Sequence, residues 1–273
     1  MPALFCRLPL WFAHAVGAVL GWLVFLLSPT YRRRFIAHAR LAGYRFGAVR
    51  GAVAHAGCMV TELPRLWWGA PVRCTWASID VVHQAYAAGR GVVYLTPHLG
   101  CFEVSPQVAA RDFTAEHGPI TVLFRPARQP WLAGLMADSR RRPGLETAPT
   151  TLAGVRQMIR ALRQGRAVGL LPDQVPPEGQ GLWSPFFGRP AYTMTLAARL
   201  AQQTGAAVVL VRCERLARGR GFVLHPRGLA EPLAADLEMA VGQINREMEH
   251  LIREAPQQYL WGYSRYKTPR REV

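Results

Sequence analysis

The run Val92-Val93-Tyr94-Leu95 is continuously apolar and is bounded by Gly89, Gly91 and Pro97. A strand without polar alternation has no solvent face, so it belongs inside a largely parallel sheet covered on both sides. Strands of this kind present ligands beyond their carboxyl ends. His98 stands just past that end, Gly100 lets the backbone approach a ligand closely, and Glu103 follows five residues after the histidine. On a regular helix, positions i and i+5 point apart by roughly 140°, so the two side chains meet only if His98 lies in the turn ahead of a helix. There Glu103 would accept the ring N–H, fix the tautomer and leave the other nitrogen as a general base. A histidine with an acid nearby is equally the pattern of an ordinary surface or core pair. The same loop carries Cys101, a thiol nucleophile for which His98 would serve as base. A His98/Cys101 metal site lacks further ligands, so no metal is expected.

Two more apolar runs end in polar residues. Ile120–Phe124 leads into Arg125, whose guanidinium would grip an anionic group. Residues 165–172 lead into Asp173-Gln174, where Asp173 would bind a cationic or hydroxyl group, position Arg125, or cap the next turn. Residues 74–79 read as a first strand and 81–88 as a helix, which with the central strand begins a βαβ unit. Helices at 193–203 and 236–254 and strands at 206–212 and 221–225 complete an α/β fold, a mostly parallel central sheet flanked by helices. The Pro- and Gly-rich stretch 175–190 reads as irregular, its Trp183, Phe186 and Phe187 walling an apolar ligand or joining the core.

From Leu8 to Tyr31 there is no Asp, Glu, Lys or Arg. The segment is long enough for a membrane-anchoring helix, either crossing the bilayer or lying in its interface. Arg7 precedes it and Arg32, Arg33, Arg34 and Arg40 follow, which by the positive-inside bias puts the remainder on the cytoplasmic face of the membrane. Residues 1–31 are therefore read as an anchor and 32–273 as a catalytic domain, with basic amphipathic helices between 35 and 68 close to the headgroups.

The 33 Lys and Arg against 17 Asp and Glu give a formal charge of +16, which calls for a polyanionic partner. The arginines are dispersed through an apolar chain without any nucleic-acid-binding signature, so nucleic acid is not that partner. Arg156, Arg160 and Arg163 share a helix face, a solvated surface or a dock for an acidic protein. Five scattered cysteines suggest neither a disulfide framework nor a metal site, and neither a phosphate loop nor a dinucleotide fingerprint is present, so no cofactor is expected.

Thr96-Pro-His-Leu-Gly-Cys-Phe-Glu103 resembles the His-x-x-x-x-Glu block of the late acyltransferases of lipid A biosynthesis. Leu123-Phe-Arg-Pro126, Leu171-Pro-Asp-Gln174, Ser184-Pro-Phe-Phe-Gly188, Pro256-Gln-Gln-Tyr-Leu-Trp261 and Arg265-Tyr-Lys267 are similar to further blocks of that family, in the same order. The family commonly has Asn where Gln129 stands, so only Arg125 is carried over from that block. The resemblance implies an acyltransferase that takes a fatty acyl group from acyl carrier protein and esterifies a hydroxyl of a lipid A precursor. His98 and Glu103 would be catalytic, and Arg125, Asp173 and Gly100 would bind substrate, with oxyanion donors from backbone N–H groups near Gly100 or from Arg125. An acyltransferase acting on a glycerophospholipid, glycolipid or ornithine lipid, a Cys101-dependent thioester hydrolase, and a non-enzymatic membrane-surface module remain as alternatives.

Overall fold

The computed structural model describes residues 6–124 and 142–271. Strands β1 (Cys74–Trp76), β2 (Val92–Leu95), β3 (Ile120–Phe124), β4 (Leu145–Pro149), β5 (Ala167–Leu170), β8 (Ala207–Arg215) and β9 (Phe222–Gly228) form a seven-stranded sheet in the order β1-β9-β8-β2-β5-β3-β4. Strands β6 (Gly181–Phe186) and β7 (Arg189–Met194) form a separate antiparallel pair. Within the large sheet every pairing is parallel except β8 with β9. The α/β architecture read from the sequence is therefore the observed one. β2 is buried at every position, as an unalternating run between two parallel neighbours must be.

The helices are α1 (Leu10–Leu27), α2 (Pro29–Leu41), α3 (Gly51–Thr61), α4 (Asp80–Ala87), α5 (Ser105–His117), α6 (Leu152–Arg163), α7 (Leu196–Thr204) and α8 (Leu237–Glu254), with short helical turns at Phe46–Val49 and Leu63–Trp68. Three starts have side-chain caps of the expected chemistry, Ser28 accepting from the Tyr31 N–H, Thr151 from the Gly154 N–H and Asp236 from the Met239 N–H. Buried aliphatic residues separate into two cores. One contains Leu95, Met158, Leu170 and Leu251, the other Val92, Val108, Phe113 and Leu224.

Two segments differ from the sequence reading. β4 was not anticipated because Ala148 is the sole buried position of its five, leaving no apolar run to detect. Residues 175–190 are not wholly irregular: β6 and β7 pair with Pro185 opposite Pro190. A two-stranded ribbon has a free edge on each side, so a missing N–H there breaks no ladder bond. Its Phe186 and Phe187 are core residues, Phe187 lying 5.8 Å from the Trp261 ring, while Trp183 is exposed. Of the neighbouring tryptophans, Trp67 is buried and Trp68 exposed. Arg156, Arg160 and Arg163 do lie on the solvent side of α6. Because α6 runs back from the end of β4 to the start of β5, its basic last turn lies at the end of the sheet opposite the strands' carboxyl ends.

Candidate active site

β2 and β5 are parallel neighbours with Leu95 opposite Leu170. His98 stands three positions past Leu95 and Asp173 three past Leu170, so two loops leaving adjacent strands deliver these residues side by side. The Asp173 carboxylate takes both hydrogens that His98 offers it: Oδ1 is 2.7 Å from the ring Nδ1, and Oδ2 accepts the His98 backbone N–H at 2.9 Å. A carboxylate only accepts, so Nδ1 carries the proton and Nε2 the lone pair. The Gln174 amide nitrogen lies 2.9 Å from Nε2 and donates to it. Asp173 is 2% exposed. Burial by itself would raise its pKa, but His98, through its charge and both hydrogen bonds, and the Arg265 guanidinium outweigh burial and hold the carboxyl below the ordinary range.

This arrangement corrects the expected pairing. The sequence reading gave the ring N–H to Glu103, five residues away. In the structure Asp173 takes it, because a neighbouring parallel strand brings that carboxylate to the ring's edge, whereas Glu103 falls in the 3₁₀ turn Phe102–Val104. Glu103 instead contributes to the wall of a mainly apolar cavity, open at its mouth. The cavity lies between α5 and one face of the sheet, lined by Tyr94, Ile120, Val122, Gly169, Leu171 and Val211. Phe102 joins cavity to imidazole: it lines the wall and its ring centroid is 4.8 Å from the His98 ring. Arg125 lies outside the described residues, as does Gln129.

Gly100 has φ +61, and a Cβ there would fall 1.7 Å from the Cys213 carbonyl oxygen. What approaches this glycine closely is β8, not a ligand. Its N–H is donated to Gln258 O at 3.0 Å, that of Cys101 to Cys213 O at 3.0 Å and that of Leu99 to Pro97 O at 2.7 Å. The N–H groups of Leu99, Gly100 and Cys101, three of the donors expected near an oxyanion, are thus committed inside the fold. Cys101 is 1% exposed, and burial pushes its thiol well above the ordinary range. Burial and protonation both disfavour this thiol as a nucleophile, which weighs against the thiol-dependent hydrolase.

Two supports were not read from the sequence as such. The C-terminal segment braces both loops: the Leu260 N–H donates to His98 O at 3.2 Å, and the Val175 N–H to the Tyr263 hydroxyl at 2.9 Å. Arg265, 2% exposed, is held by Tyr192 O at 2.6 Å and Thr193 Oγ1 at 2.5 Å. On the other side the Arg215 guanidinium donates to Glu62 Oε2 at 2.8 Å, Glu62 Oε1 at 2.5 Å and Gly100 O at 2.9 Å, with His55 Nδ1 at 2.8 Å. His14 of α1 completes this network, 3.0 Å from Glu62 Oε2. One signal could have exposed it: Glu62 is the first carboxylate of the chain, and no other precedes Asp80.

Fold and site together define an α/β acyltransferase-type scaffold, in which a carboxylate-held histidine at two strand ends stands beside an apolar cavity. The chain belongs to the family described as bacterial lipid A biosynthesis acyltransferase, whose sequence model matches residues 7–268. It is similar to the lipid A biosynthesis lauroyltransferase of Escherichia coli, 26% identical over 218 residues that cover 78% of this chain and 68% of that protein. To the palmitoleoyltransferase of the same organism it is 27% identical over 191 residues, 70% of this chain and 60% of that protein. To a phosphatidylinositol mannoside acyltransferase of Mycobacterium tuberculosis it is 30% identical over 152 residues, 54% of this chain and 46% of that protein.

Proposed function

We propose that this protein transfers a fatty acyl group from the thioester of acyl carrier protein to a hydroxyl of a lipid A precursor, at the cytoplasmic face of the bacterial inner membrane. The observation that carries the chemistry is the His98–Asp173 pair beside an apolar cavity. An alcohol is a weak nucleophile at neutral pH because so little of it is ionised. The acceptor hydroxyl displaces the Gln174 amide from Nε2, and the imidazole takes its proton as the oxygen attacks the thioester carbonyl. Asp173 keeps the ring in the productive tautomer and stabilises the imidazolium that forms. Collapse of the tetrahedral intermediate breaks the C–S bond, and Nε2 returns the proton to the departing sulfur, leaving an ester and a free carrier thiol.

The apolar cavity accommodates the acyl tail. Glu103, beside the Phe102 that touches the imidazole, is assigned to the acceptor side, where its carboxylate would align the attacking hydroxyl. Arg125 is assigned to an anionic group of the substrate and to the developing oxyanion. Gly100 serves the site by letting β8 pass close to the catalytic loop. No cofactor or metal takes part in this scheme.

A second reading replaces lipid A precursor by a glycolipid such as a phosphatidylinositol mannoside, and the mycobacterial relative favours it. Purified protein supplied with acyl carriers of defined chain length and each lipid acceptor in turn, with products read by mass, separates the two. Acylated lipid A precursor that vanishes in His98→Ala is the expected result. Acylation of the mannoside alone would replace the acceptor, and turnover unchanged by His98→Ala would remove the mechanism.

A further inference from the structure

The N-terminal helix α1 is two-faced in a way its composition does not reveal. One stripe, Ala13, His14, Gly17, Gly21 and Phe25, turns into the domain. The opposite side, including Trp11, Phe12, Val19, Leu23, Leu26 and Leu27, is exposed, Leu27 to 79%. The buried stripe is fitted to α3. A Cβ on Gly57 would fall 1.8 Å from the Gly17 carbonyl oxygen, and one on Gly21 would fall 2.2 Å from that of Val53. Thr61 Oγ1 donates to Ala13 O at 2.7 Å, and His14, the helix's titratable side chain, points inward to Glu62. Phe25 belongs to the same core as Val53 and Trp261.

The helix is therefore seated along most of its length on the domain that holds the catalytic loop. With 18 residues it is about 27 Å long, enough to cross a hydrocarbon core. Crossing while seated would also drag α3 and the turn Ala217–Gly219 into hydrocarbon. That turn packs on the start of α1, a Cβ on Gly219 falling 2.2 Å from the Trp11 nitrogen, and it carries exposed Arg218 and Arg220. At the other end Arg32 donates to Phe25 O at 3.2 Å and Leu26 O at 2.8 Å, and Arg33 is exposed. Arginines thus stand at both ends of one apolar face, as they do on a helix whose two ends meet the same plane of headgroups.

Resting on the membrane-lipid reading above, we infer that α1 does not span the bilayer: it lies in one anionic leaflet, exposed side in the acyl chains and seam side on the domain, making this a monotopic protein. Phe12, Val19, Leu23 and Leu27 lie within about 80° of one another around the helix, so all four should sit at one depth. The test is a spin-label depth scan on full-length protein bound to phosphatidylglycerol/phosphatidylethanolamine vesicles, with Phe12→Cys, Val19→Cys, Leu23→Cys and Leu27→Cys made singly. The five native cysteines are buried, and the unsubstituted protein supplies the background. Expected is a common depth of about 5–10 Å below the headgroup boundary. A ramp of depths spanning roughly 20 Å or more along the helix would overturn the proposal, even with acyl transfer to lipid intact. Labels shielded from oxygen by a second copy of the chain would overturn it too. Protein that stays off the vesicles would sink both this arrangement and the membrane setting of the proposed reaction.

Discussion

His98 Nδ1 and Asp173 Oδ1 lie 2.7 Å apart although 75 positions separate the residues in the chain. The same carboxylate holds the His98 backbone N–H, so ring and main chain are fixed as one unit. Asp173→Asn presents an amide that can donate to Nδ1 and so favours the wrong tautomer. Acyl transfer should fall by a factor on the order of 10³–10⁴, the scale of the corresponding change in serine proteases. Glu103→Gln, which leaves Nδ1–Asp173 intact, should cost less. Single-turnover transfer to lipid measures both, and a larger loss in Glu103→Gln would return the orienting role to Glu103.

Acid should destabilise the fold in two stages. His55 is held neutral down to about 3, by burial first and by the Arg215 charge second. In the unfolded chain it protonates near 6.5, so its contribution is complete above that pH and declines from there toward about 3. Glu62 and Asp173 are depressed: burial would raise each, but Arg215 and His98 respectively prevail. Their contributions are complete above the unfolded carboxylate values near 4 and vanish as pH falls through the folded ones. Melting temperature should therefore sag below about 6.5 and drop steeply below about 4. His55→Asn should flatten the first stage. Glu62→Gln should flatten the second and cost about 3–5 kcal/mol at pH 7, since Arg215 is left buried without its counter-charge. An unaltered acid limb in Glu62→Gln would contradict this account, with calorimetry across pH as the measurement.

Cys101→Ala should transfer acyl groups at a rate within about twofold of the parent, since a sealed thiol takes no part. Maleimide should leave the folded protein's activity unchanged. Loss of turnover in a variant that keeps its circular dichroism would reinstate the cysteine.

Gly169 lines the cavity from the centre of the sheet, and a Cβ there would sit 3.3 Å from Val122 Cγ1. Gly169→Leu fills that space with four carbons. Transfer of the longest accepted acyl chain should drop at least tenfold relative to shorter ones, since a methylene or two is worth roughly 1–3 kcal/mol. Competition between acyl carriers of different length, read by product mass, gives the ratio. An unchanged length profile would place the tail elsewhere.

The sequence by itself determined that 92–95 is an interior strand, that reactive residues follow the apolar runs, and that 8–31 carries no Asp, Glu, Lys or Arg. Each of those properties is local: burial of a strand is written in its own missing alternation, and chain ends of strands in their bounding glycines and prolines. It also carried every side chain that the site assembles, Asp173 and Gln174 included. Only the tertiary structure decided which carboxylate meets the imidazole. Parallel neighbours are joined by crossovers, so β2 and β5 share no local signal, and the register Leu95–Leu170 comes from packing across 75 positions. Packing also decided the fate of α1. Which side of an apolar helix is seated and which is bare depends on close contacts such as Gly17 with Gly57, and hydropathy along the chain does not record them.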